Sequence, residues 1–107
     1  IAHLASIMRS KNLSARLVGV DSGNKFKYEI AFQPVITIGR AADNNLVLTH
    51  NTVSSHHAKI VFDGRGFTII DTNSTNKVVV NGNIVAETPL YNGDKVGLGE
   101  SVFTFYC

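Results

Sequence analysis

A single cysteine, Cys107, and no tryptophan are found in the 107 residues. One thiol cannot close a disulfide within the chain, so a fold of this size must hold by packing and hydrogen bonding alone. An unstapled domain fits a reducing compartment, and a cytoplasmic (or, in a eukaryote, nuclear) location is expected rather than secretion. No apolar run approaches the ~18 residues that a membrane-spanning helix needs. The opening IAHLASIMRSKN also lacks the apolar stretch of a secretion signal. Charge is sparse: ten Lys and Arg against eight Asp and Glu leave a net charge of +2, with both signs scattered. That distribution argues against a nucleic-acid or membrane-surface partner and leaves a small local anion as the charge the protein could hold.

What the chain does have is apolar patterning. Hydrophobic residues make up 44% of a length that suits one domain with one core. Residues 1–12 hold the only helical potential and are expected to be an N-terminal extension or linker, with residues 13–107 forming the domain. From residue 16 onward, short β-branched and aromatic runs alternate with turn residues. RLVGV and KFKYEIAF flank DSGN, where Gly23 and Asn24 are expected to take positive φ in a hairpin. HAKIVFD places Ala58, Ile60 and Phe62 on one face, and FTIID does the same for Phe67 and Ile69. NGN at 81–83 is a hairpin signal before IVAE, and Pro89 marks a break. The expected fold is therefore all-β, a sandwich of ten or eleven short strands. Polar residues with chemical potential collect in loops 39–45, 49–56 and 71–77.

NTVSSHHAKI, residues 51–60, admits four readings. A metal site is disfavoured, because His56 and His57 are adjacent and point to opposite faces near a strand. A Ser54–His57–Asp71 triad can be drawn, yet there is no G-x-S-x-G elbow to orient a nucleophile. No catalytic residue, metal ligand or cofactor is assigned. His57 alone reads as a buried histidine bonded to nearby backbone, bracing a loop. The fourth reading joins the loops: Arg40 offers a planar fork of donors, Ser54 and Thr75 offer hydroxyls, and Asn76 an amide, all suited to phosphate oxygens.

In order and spacing, Gly39-Arg40, Ser54-Ser55-His56-His57 and DTNSTNKVVVNG resemble the motifs of the forkhead-associated (FHA) phosphothreonine-recognition domains. The resemblance runs from about residue 16 to 106. It implies an eleven-strand sandwich of two mainly antiparallel sheets with ligand loops at one end. It also implies a non-catalytic module that binds a phosphothreonine segment of a protein partner. By position, Arg40 and Ser54 would hold phosphate oxygens, with Ser55 as a further contact. Thr75 would lie beside the threonine methyl, and Asn76 would clamp the peptide backbone. Gly39 and His57 would hold loop geometry, and Asn81 and Gly82 would form a turn. Two positions depart from the family pattern. Ser55 stands where Arg, Lys or Asn is common, and Lys77 stands where Gly usually follows the loop Asn, so no positive φ is expected at Lys77. These departures favour the alternative, a phosphorylation-independent interaction module on the same fold. The isolated domain is expected to be monomeric.

Overall fold

A computed structural model describes residues 2–11, 14–31 and 33–107 of the chain. The expected boundary between residues 12 and 13, and Phe32 at the end of the second strand run, lie outside the described residues. Among the described residues, one helix, α1 (Ala2–Ser10), precedes eleven strands. The strands form two sheets laid face to face, the sandwich that the strand pattern predicts.

The first sheet has six antiparallel strands. Its long members are β1 (Ser14–Asp21), β2 (Asn24–Ala31) and β11 (Ser101–Tyr106), joined by β10 (Lys95–Leu98), β7 (Val78–Val80) and β8 (Asn83–Val85) in the order β2-β1-β11-β10-β7-β8. The second sheet contains β3 (Val35–Gly39), β4 (Leu46–Val47), β5 (Ala58–Phe62), β6 (Phe67–Asp71) and β9 (Glu87–Leu90), ordered β4-β3-β5-β6-β9 with β3 and β4 parallel.

Alternation decides what is buried. Leu17, Phe103, Phe105, Val96 and Leu98 point inward from the six-stranded sheet and meet Ile36, Ile38, Ile60, Phe62 and Ile69 from the other. Phe62, Phe67 and Phe105 pack ring to ring with centroids 5.3 and 5.4 Å apart, closing the core at the end remote from loops 39–45, 49–56 and 71–77. Each such ring is worth about 1.5–3 kcal/mol when removed from water.

Several local expectations differ from the structure. The β1–β2 turn puts Ser22 (φ 51°) and Gly23 (φ 78°) in the left-handed region, not Asn24, which pairs with Asp21 as the first residue of β2. Pro89 does not break the chain. It lies within β9, the edge strand of its sheet, where the missing N–H costs no ladder bond. IVAE is likewise not one strand: β8 ends at Val85, and β9 begins at Glu87 in the opposite sheet. At the β7–β8 turn, Asn81 (φ 50°) and Gly82 (φ 87°) both take positive φ, the geometry of a two-residue type I′ hairpin.

The helix is amphipathic, and one face of it meets the sandwich. Met8 is wholly buried in the core cluster, with Leu4 and Ile7 packed against it. Leu4, Ile7 and Met8 therefore contribute to the same core as the strands. Met8→Ala is expected to lower stability by about 2–4 kcal/mol, the range for truncating a buried core side chain. Urea unfolding of the whole chain measures this, and an unchanged midpoint would show that the helix is dispensable.

Candidate functional site

The register of the second sheet brings three loops together. Ile38 lies opposite Ala58, and Ala58 opposite Asp71, so β3 leaves the sheet beside the points where β5 enters and β6 leaves. The loops that follow β3, precede β5 and follow β6 hence share one end of the sandwich.

Backbone bonds then zip the first two loops together. Arg40 N donates to Ser54 O (2.9 Å), Ala41 N to Ser55 O (3.1 Å), and His57 N to Ile38 O (2.9 Å). Gly39 is required by this close approach. A Cβ there would overlap the Ser55 carbonyl group and lie 2.9 Å from Asn44 Nδ2. Asn44, buried in the β3–β4 loop, donates from Nδ2 to both Ala41 O and Ser55 O at 2.8 Å. Asn45 accepts from Thr37 N and Thr37 Oγ1 and closes the base of the loop.

His57 joins the second loop to the third. The ring is completely buried. Its Nδ1 accepts from Ser54 N (3.0 Å), and its Nε2 faces Lys77 O at 2.7 Å. A carbonyl can only accept, so Nε2 carries the proton and Nδ1 the lone pair. Both ring nitrogens are therefore committed to backbone, and neither reaches the Ser54 hydroxyl. Asp71 Oδ1 accepts from Ser74 N instead (2.8 Å), so Ser54, His57 and Asp71 do not form a proton relay. His56 turns the other way and pairs with Asp43 at 3.0 Å.

Arg40, Ser54, Ser55, Thr75 and Asn76 fall on this braced end. Arg40 Nε donates to Val53 O (2.9 Å), which leaves the four N–H bonds of its terminal nitrogens to carry the charge outward. Ser54 Oγ accepts from Thr75 N (3.0 Å), so the hydroxyl proton is directed elsewhere as a donor. Asn76 Nδ2 donates to Thr52 O (2.8 Å), leaving Oδ1 as an acceptor at the surface. Ser55 is exposed, and its hydroxyl makes no hydrogen bond among the described residues. Asn81 and Gly82 are placed elsewhere. They sit beyond β7, where Asn81 donates to Asp94 Oδ1 and accepts from Lys95 N, both at 3.0 Å.

Lys77 overturns an expectation. Its φ is 65°, so the backbone takes the left-handed turn although the residue is not glycine. The reason is the brace: Lys77 O must face the His57 ring.

Sequence reasoning missed Asp21. Its carboxylate accepts from Thr49 N, Thr49 Oγ1, His50 N and Ser101 Oγ and ties the start of the 49–56 loop to β1 and β11. Partial burial pushes this carboxyl up, but the bond from Ser101 and those from Thr49 and His50 outweigh it and hold the group below its ordinary value of 3.8. Its partners lie 28 to 80 residues away, so no local signal marks it.

The fold and the loop cluster define a class, a β-sandwich module with hydrogen-bonded loops gathered at one end. Within that class the chain belongs to the FHA domain family, whose model matches residues 36–99. It is similar to the transcriptional regulatory protein EmbR of Mycobacterium tuberculosis, with 36% identity over 92 residues, 85% of this chain and 23% of EmbR. A structure of EmbR with a low-affinity phosphopeptide superposes with a TM-score of 0.76, at 28% identity, over 98% of this chain and 29% of that one. The ABC transporter ATP-binding/permease protein Rv1747 of M. tuberculosis is 39% identical over 70 residues, 65% of this chain and 8% of the transporter. The yeast Dun1 FHA domain, solved with a doubly phosphorylated threonine peptide, gives a TM-score of 0.72 at 29% identity over 87% of this chain and 73% of that one. The chain thus spans less than a quarter of the curated relatives it matches.

Two substitutions test the bracing. Lys77→Gly removes a left-handed conformation that costs about 1–2 kcal/mol, against roughly 0.4–1 kcal/mol of added unfolded-chain entropy. A net gain of about 0.5–1 kcal/mol is expected in chemical unfolding. Asp21 has a folded pKa below its unfolded one, so its contribution is present above about pH 4 and is lost as pH falls through the lower folded value. Asp21→Asn should be less stable than wild type at pH 7, and the gap should close as both proteins are titrated below pH 4. A gap independent of pH would assign the loss to shape rather than charge.

Proposed function

We propose that this domain binds a phosphothreonine-bearing segment of a protein partner and does no chemistry on it. The observation that carries this reading is the pairing of Arg40 with Ser54. The guanidinium is anchored through Nε to Val53 O, and the Ser54 hydroxyl has its acceptor side filled by Thr75 N, so both present donors from one rigid loop junction. A phosphate dianion needs such donors, and one cation among neutral groups suits a single phosphoryl group better than a polyanion.

The other residues take the roles that the family resemblance gives their positions. Ser55 supplies a further exposed hydroxyl next to Ser54. Thr75, whose N–H is bonded to Ser54 Oγ, would lie beside the threonine methyl. Asn76, held through its amide nitrogen by Thr52, offers Oδ1 to a backbone N–H of the bound chain. Gly39 and His57 act beneath these groups by fixing the loops. That phosphopeptides accompany EmbR and Dun1 in their solved complexes supports the same ligand class here.

The expected affinity is modest. A charge-assisted bond from Arg40 contributes about 1.5–3 kcal/mol, and each neutral donor about 0.5–1.5 kcal/mol. With Asn76 on the backbone, the sum is about 6–8 kcal/mol, a micromolar or weaker Kd. The threonine methyl is worth about 0.8 kcal/mol, roughly fourfold over serine, unless a rigid pocket sharpens the choice.

Calorimetry with matched peptides bearing Thr, phosphoserine and phosphothreonine tests the reading. Binding is expected in the order phosphothreonine, phosphoserine, Thr, with Arg40→Ala weakening the phosphothreonine peptide about tenfold or more. Equal affinity for all three peptides, or indifference to Arg40→Ala, would overturn it.

A further inference from the structure

The outer face of the six-stranded sheet carries a feature that the loop site does not use. Residues directly opposite each other in antiparallel strands share a face, so the register shows which side chains stand in line. Val20 pairs with Val102, Val102 with Gly97, Gly97 with Val79, and Val79 with Ile84. These five residues form one row across β1, β11, β10, β7 and β8, about 19 Å long at the usual ~4.8 Å strand spacing.

The row is open to solvent. Ile84 is 74% exposed, Val102 51% and Val20 38%, with Val18 at 36% in the adjoining row. Among the described residues, seven large apolar side chains are exposed, and four of them lie on this face. Gly97 contributes no side chain, so the middle of the row is a notch between Val102 and Val79. Single exposed valines are ordinary, but a row in register across five strands is a surface.

Charge around the row is one-sided. Lys25 stands opposite Val20, Lys27 opposite Val18, and Lys95 opposite Thr104, with Arg16 one row further on. Among the described residues, the one carboxylate at an outward strand position on this face is Glu29, 3.2 Å from Lys27. Four cations thus face one acid, in a chain whose totals are ten and eight. A second copy would bring the same cations and be repelled, and a nucleic acid stacks its bases on aromatic side chains, which this row of Val, Ile and Gly lacks.

We propose that this face is a second docking surface, for a protein segment that presents apolar side chains bordered by Asp or Glu and binds without phosphate. The row begins beside the ligand loops. Val20 precedes Asp21 and Val102 follows Ser101, whose mutual hydrogen bond anchors the 49–56 loop. A partner held at the loops therefore reaches the row within a short stretch of chain, and the two contacts reinforce each other through effective concentration.

The test is NMR titration of the labelled protein with a short phosphate-free peptide of Leu and Val bordered by Glu. Saturable shifts are expected at Val20, Val79, Ile84, Gly97 and Val102, with Arg40 and Ser54 unmoved. Val102→Glu, and separately Lys25→Glu with Lys27→Glu, should each weaken the peptide about tenfold while leaving phosphothreonine-peptide binding unchanged. Arg40→Ala should bind the probe as wild type does, so failure of the loop site and failure of this face are separable. The proposal is overturned by no saturable shift, by equal binding of the same peptide with Lys for Glu, or by shifts confined to the loops. Shifts seen only with phosphatidylserine vesicles would reassign the face to a membrane. Concentration-dependent broadening without the probe would reassign it to a second copy.

Discussion

The site depends first on one buried ring. His57 lies completely inside the protein and spans from the amide of Ser54 to the carbonyl of Lys77, two loops that share no strand pairing. A polar ring in the core is tolerated because both nitrogens are satisfied; with either partner removed, a buried polar group would cost about 1–3 kcal/mol. Ser54 and Lys77 take their positions at the loop end from this bridge. Ser54 is oriented by it and in turn fixes Thr75 through Oγ and Arg40 through its carbonyl.

Asp21 holds the same loop from the opposite side. Where His57 grips the end of the 49–56 segment from within, the Asp21 carboxylate grips its start through Thr49 and His50. Between the two anchors the segment has little freedom, and Asn76 adds a third tie at Thr52. Loops tied in this way would lose little conformational entropy if they closed on a ligand.

Much of this fold is legible in the sequence. The alternation in AKIVF and FTIID assigns the inward faces of β5 and β6, because burial on one side of a sheet forces period two. Asn81-Gly82 announces its turn because few residues tolerate positive φ in succession. What is not legible depends on distant partners. Asp21 reads as a turn residue until Ser101 is folded beside it, 80 positions away. Asn44 reads as loop polarity until the Ser55 carbonyl arrives above Gly39. Pro89 reads as a breaker because edge position is a property of the sheet, not of the local sequence. Arg40, Ser54, Thr75 and Asn76 are grouped in the sequence by donor chemistry and by the family resemblance, but which of their atoms stay available depends on bonds that only the folded chain displays.

Lys77 shows how far the brace dominates its neighbours. Local preference opposes a left-handed lysine by about 1–2 kcal/mol. The His57 ring needs a carbonyl at 2.7 Å, and turning the backbone at residue 77 supplies it. The exchange is favourable because the unsatisfied alternative sits in the core, where no water can substitute, whereas the strain sits at the exposed surface. The same inequality explains the division between the two ends of the loop cluster. Positions that serve the ring are held to a fixed geometry whatever residue occupies them, while the side chain of Ser55, exposed and bonded to no buried group, is free to vary.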